Sequence, residues 1–107
     1  MPTPTKLYTC RLDLYTTDNG GLSGPMSGKY AKMPAKLHGV FNDIIIFLSE
    51  GMILAPGGSY ELPVAFIWEH ELASSLNVGT QFELWPNVRH CGDGQIVRFE
   101  DVTFPID

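Results

Sequence analysis

A chain of 107 residues has the length of a single domain, and 7 Lys and Arg set against 12 Asp and Glu leave a formal net charge of −5. Such a surface repels phosphate backbones on average, which disfavours general nucleic-acid binding and leaves it only a local basic patch. With 44% hydrophobic residues, 11 Gly and 8 Pro, the composition excludes disorder and suits short strands joined by many turns.

The N-terminal run Met1-Pro2-Thr3-Pro4-Thr5 has no basic stretch leading into an apolar core, so it does not read as a signal peptide. The expected compartment is the cytoplasm, with Cys10 and Cys91 as reduced thiols. From Thr9 to Tyr15, Cys10, Leu12 and Leu14 alternate with Thr9, Arg11, Asp13 and Tyr15, which predicts a half-buried strand. Asp18-Asn19-Gly20-Gly21 ends it, with the glycines free to take positive φ at a corner. Leu37–Phe41 and Ile44–Leu48 read as two strands separated by a turn at Asn42-Asp43. The run Ile44-Ile45-Ile46-Phe47-Leu48 is the longest apolar stretch and is far too short for a membrane-spanning helix, so no membrane partner is expected.

Turns at Glu50-Gly51 and Pro56-Gly57-Gly58 precede a strand from Ser59 to Phe66, with Tyr60, Leu62, Val64 and Phe66 inward. Glu69–Leu76 reads as a helix of barely two turns. Asn77-Val78-Gly79 then leads into Thr80–Trp85, where Phe82 and Leu84 oppose Gln81, Glu83 and Trp85. Gly92-Asp93-Gly94 reads as a turn, a place for a bulge or a close backbone approach, before a final strand from Gln95 to Val102. Six or seven short strands with turns at such spacing argue for an all-β barrel or sandwich in one domain, residues 1–107.

Residues 8–30 and 56–98 carry a family pattern. Leu14-Tyr15-Thr16-Thr17-Asp18-Asn19-Gly20-Gly21-Leu22-Ser23-Gly24-Pro25, with Tyr30 after it, resembles the opening of the third, C-terminal β-barrel domain of translation elongation factor Tu. Pro56-Gly57-Gly58-Ser59-Tyr60-Glu61-Leu62 is similar to the turn and strand in the middle of that domain. Gly79-Thr80-Gln81-Phe82-Glu83-Leu84 and Arg89-His90-Cys91-Gly92-Asp93-Gly94-Gln95-Ile96-Val97 resemble its close. The resemblance implies a closed antiparallel Greek-key-like barrel of six or seven strands, standing alone without the factor's GTPase machinery. Cys10, Leu12, Leu14, Leu62, Val64, Phe66, Phe82 and Leu84 are its expected core. Closing the sheet removes its edges and favours a monomer.

The chain also departs from the family. Leu22 stands where the family has an Arg after Gly-Gly, Trp85-Pro86-Asn87-Val88 replaces acidic and glycine residues, and there is a short insertion around Glu69–Ser75. In the family the Gly-Gly-Arg loop and its neighbours face the T-arm of aminoacyl-tRNA. The resemblance therefore implies Lys29, Lys32 and Arg89 as candidate RNA contacts, weakened by the loss of that Arg. Lys36 falls in the same basic stretch.

Reaction chemistry has little support. Gly28-Lys29 lacks the upstream Gly of a phosphate loop, because Ser23 stands there, and Tyr30 replaces the Ser or Thr that would hold magnesium. Gly92-x-Gly94 has Val97 where a dinucleotide fingerprint needs glycine, so no nucleotide or other cofactor is expected. Cys10, His38, His70, His90 and Cys91 show no metal-ligand spacing. His90 and Cys91 are neighbours that a strand would point to opposite faces, and no nucleophile elbow is present. Glu69, Glu71, Glu100 and Asp101 read as solvated charge. The expectation is a non-catalytic module engaging a protein partner through one barrel end, at Trp68, Trp85, Pro86, Asn87 and Val88, because tryptophan is a common interface anchor. A tRNA-contacting translation accessory is the alternative, and an immunity or antitoxin-like protein a third.

Overall fold

Strand β1 (Lys6–Leu14) follows the period-two rule: Tyr8, Cys10, Leu12 and Leu14 are buried and Arg11 is exposed. The computed structural model describes residues 6–21, 26–67, 75–86 and 89–101. After β1 come a 3-10 turn at Thr17–Asn19, β2 (Met26–Ser27), β3 (Tyr30–Leu37), β4 (Val40–Phe47), β5 (Ile53–Leu54), β6 (Ser59–Phe66), β7 (Gln81–Leu84) and β8 (Gly92–Asp101). Six of these close into an antiparallel barrel in the order β1-β6-β4-β3-β7-β8, and β2 pairs with β5 in a small separate sheet. The expected class is therefore the observed one. All eight expected core residues are buried, joined by Ile44, Ile46, Leu54 and Ile96 among others. Cys10 and Cys91 are both buried and unbridged. Among the described residues no helix is long and apolar enough to cross a membrane.

Three local expectations need correction or limits. The turn between β3 and β4 is His38-Gly39, not Asn42-Asp43, and both of its residues have positive φ, 49° and 80°. Two left-handed residues give a hairpin turn whose twist matches the flanking strands, and that match outweighs the turn preference of Asn-Asp. Asn42 and Asp43 lie inside β4 opposite Ala35 and Pro34. Gly92-Asp93-Gly94 is likewise no turn but the start of β8, paired with β1 and β7. The close backbone approach expected of these glycines is present: a β-carbon on Gly92 would sit 2.6 Å from the Asp13 carbonyl oxygen, and one on Gly94 would fall on the ring of Phe82. Of the expected helix, residues 69–74 lie outside the described ones, and Ser75 and Leu76 are not helical.

Strand β3 buries Ala31, Met33, Ala35 and Leu37 in strict alternation, with Pro34 in its outward set. The Trp85 N–H donates to the Pro34 carbonyl at 3.0 Å, but proline has no N–H to return the bond. The β3–β7 ladder accordingly stops at Ala35 and Leu84, and Trp85 leaves the ladder. That position sets up the site below.

Candidate functional site: a ring and carboxylate cluster on the outer wall

The strand registers align one outward residue from each of the six barrel strands. Phe41 on β4 lies beside Lys36 on β3, then Glu83 on β7, Asp93 on β8, Asp13 on β1 and Ser59 on β6. Side chains directly opposite on one face are close enough to interact, so this row is one continuous surface. Each of its acids has donors. The Ser59 hydroxyl donates to Asp13 Oδ1 at 2.6 Å, and Arg11 Nε lies 3.3 Å from Asp13 Oδ2. The Trp85 indole N–H donates to Glu83 Oε1 at 2.8 Å. Asp93 accepts from the Tyr15 hydroxyl at 2.7 Å, with His90 Nε2 2.8 Å from its other oxygen.

Four rings assemble over the acids. Trp85 stacks on His90 with centroids 5.8 Å apart and planes 6° from parallel. Phe41 meets Trp85 edge-on at 5.2 Å, and Tyr15 tilts against His90 at 5.1 Å. The Lys36 ammonium sits 5.3 Å from the Trp85 centroid and 5.5 Å from that of Phe41, within cation–π range of both. His90 Nδ1 lies 3.8 Å from Glu83, so this imidazole faces a carboxylate on each side. The Tyr15 hydroxyl is pushed up to about 12, first by its hydrogen bond to Asp93, then by burial and the charges of Asp93 and Glu83. An open cleft of about 620 Å³ adjoins the row, lined by Asp13, Lys36, His38, Gln81, Glu83 and Asp93.

The expected interface residues fare differently. Trp85 points outward, as its strand alternation predicts, but is half-buried beneath its neighbours, and Pro86 is buried. Trp68, Asn87 and Val88 lie outside the described residues, as does Leu22. Of the candidate RNA contacts, Lys32 is exposed on the outer face of β3. Lys29 is exposed in the bend before β3, beside a groove of about 710 Å³ at the β2–β5 sheet. Arg89 donates to the Gly21 carbonyl at 2.9 Å, pinning the β7–β8 loop to the turn after β1. Gly28 and Lys29 run into β3 and not into a helix.

Sequence reasoning missed Tyr15, Lys36, Phe41, Glu83, His90 and Asp93 as a unit. The signal was the register, and placing the hairpin turn at Asn42-Asp43 hides the pairing of Phe41 with Lys36. Cys91 is 2% exposed, and the hydrogen bond to Asp93 favours the protonated Tyr15 hydroxyl. Among the described residues no group of three His, Cys, Asp or Glu is arranged to hold a metal ion. No protein-family model matches the chain, and no curated protein matches it significantly.

Proposed function

We propose that the chain is a non-catalytic binding module, similar to the third domain of elongation factor Tu, that engages a protein partner through the outer-wall cluster. The supporting observation is Phe41. It is 52% exposed, yet it packs edge-on against the Trp85 ring and lies under the Lys36 ammonium, contacts that favour one orientation. A rigid exposed aromatic loses little entropy on burial, which is the property of an interface anchor. The RNA alternative draws less support, because Arg89 is committed to Gly21 and the surrounding row carries Glu83, Asp93 and Asp13.

Affinity capture from the host with tagged protein, identifying both bound protein and bound RNA, tests this reading. A protein partner is expected with the wild type, and at least tenfold less of it with Phe41→Ala, whose thermal midpoint should stay close to wild type. Undiminished capture by that variant moves the interface elsewhere. Recovery of RNA that salt releases steeply, and that Lys29→Ala and Lys32→Ala diminish across all RNA sequences, replaces the protein reading with the tRNA one.

A further inference from the structure

Strand β8 outlasts the neighbour that closes the barrel on one side of it. It runs from Gly92 to Asp101, whereas β7 pairs with it only from Gly92 to Gln95. Two more backbone bonds, Gly79 N to Ile96 O at 2.7 Å and Ile96 N to Thr80 O at 2.9 Å, carry that contact to Ile96. Beyond this point β1 still pairs with β8, placing Thr9 opposite Arg98, Leu7 opposite Glu100 and Lys6 opposite Asp101.

An antiparallel strand turns its backbone groups alternately to either side. The Tyr15 N–H donates to the Cys91 carbonyl, so the odd-numbered residues of β1 face β8. Thr9 and Leu7 therefore exchange bonds with Arg98 and Glu100. The register shift between Thr9 and Cys10 changes which residues of β8 face outward: Ile96 faces β7 before it, and Phe99 faces away from β1 after it. Among the described residues no strand covers that side of Phe99. Val97 and Phe99 are also 37% and 45% exposed. An edge with exposed apolar side chains and no described strand beside it is a template for another strand.

We propose that this edge pairs with the same edge of a second copy of the chain, in an antiparallel two-fold arrangement centred on Phe99. The centring follows from charge. It sets Arg98 opposite the partner's Glu100, Glu100 opposite the partner's Arg98, and Phe99 opposite its own copy. A two-fold axis at Arg98, Glu100 or Asp101 instead sets like charge against like at the centre, which is destabilising. The outward N–H and C=O of Phe99 then bond reciprocally with those of its copy, making an isologous contact. Arg98 now lies 3.0 Å from Glu61, and Lys6 lies 3.4 Å from Asp101 with its ammonium 5.9 Å from the Phe99 ring centroid. Both ion pairs are exposed and screened, and a guanidinium has donors enough to bridge Glu61 and a second carboxylate. A contact of a few residues is small, so the dimer is weak and reversible. This surface shares no residue with the Phe41 and Trp85 cluster and stands or falls independently of it.

Sedimentation equilibrium of the intact chain, sampled from about 5 to about 500 µM, reads the association directly. The average mass is expected to rise with concentration from 11.8 kDa toward twice that value. Arg98→Glu and Glu100→Arg should each weaken association at least tenfold, and the double variant should restore it, because the swapped charges again face opposite signs. Hydrogen exchange at the Phe99 amide should slow with concentration in the wild type and in the double variant only. A wild type monomeric over the whole range overturns the proposal. So does a dimer indifferent to both single variants, or a double variant no better than either single one.

Discussion

Strand β7 shows two faces held by different means. Inward, Phe82 is 3% exposed and Leu84 fully buried, and Phe66 meets both Tyr8 and Phe82 edge-on at 5.2 and 5.4 Å. Interiors are packed as densely as organic crystals, so shape alone leaves those rings one arrangement. Outward, Glu83 and, just past the strand's end, Trp85 are held by a hydrogen bond, a stacked imidazole and a lysine over the ring. Each of those contacts is worth about 1 kcal/mol and can be exchanged for an equivalent one from outside. One wall thus has a side that only folding can satisfy and a side that a partner can satisfy as well.

Removing an inner ring should produce the largest effect. Phe66→Ala empties the space between Tyr8 and Phe82, and large-to-small changes of this kind cost about 3–5 kcal/mol. Urea denaturation should show the midpoint lowered accordingly, and a loss below about 1 kcal/mol would mean the core collapses around the gap. Gly21→Ala comes next. A β-carbon there would fall on the Tyr15 carbonyl oxygen, and the nearby obstacles are all backbone. Overpacking of this sort costs about 1–3 kcal/mol. Because Arg89 donates to the Gly21 carbonyl, amide exchange in the β7–β8 loop should accelerate as well.

The outer face should respond less. Trp85→Ala removes a half-buried ring but leaves its backbone bond to Pro34 intact. The expected loss is about 1–2 kcal/mol, well below that of Phe66→Ala. If the two variants prove equally unstable, Trp85 is part of the core in energetic terms and the two-sided picture fails.

The same difference explains what could be read from the sequence. Inward residues announce themselves by period, so Cys10, Leu12, Leu14, Leu62, Val64, Phe66, Phe82 and Leu84 were all legible, and with them the class of fold. The outer cluster depends on which strand lies beside which and in what register. Tyr15 and His90 are 75 residues apart and meet only after β1 and β8 pair. Lys36 and Phe41 become neighbours only if the turn is His38-Gly39, a left-handed pair that resembles no strong turn signal. Gly92 and Gly94 looked like a turn because close packing and chain reversal select the same residue for different reasons.

The smallest effect appears only in alkali. Tyr15 is raised from 10.0 to about 12 by its hydrogen bond to Asp93, which the phenolate cannot donate. The folded protein therefore binds this proton more tightly than the unfolded chain. Its contribution is whole below pH 10, where both states are protonated, and fades as pH rises toward 12. Cys10, raised from 9.0 to about 12 by burial, acts with the same sign, so the wild type should lose stability across that range from two sources. Tyr15→Phe separates them. At neutral pH it removes one neutral-to-charged hydrogen bond at the surface, a loss of about 1 kcal/mol. Above pH 10 its stability should fall less steeply than that of the wild type, leaving the Cys10 component alone. Urea midpoints measured in parallel for the two proteins at several pH values should therefore converge as pH rises. Curves that stay parallel from neutral pH into alkali would show that Asp93 does not hold the Tyr15 proton, and that the outer cluster is looser than its distances imply.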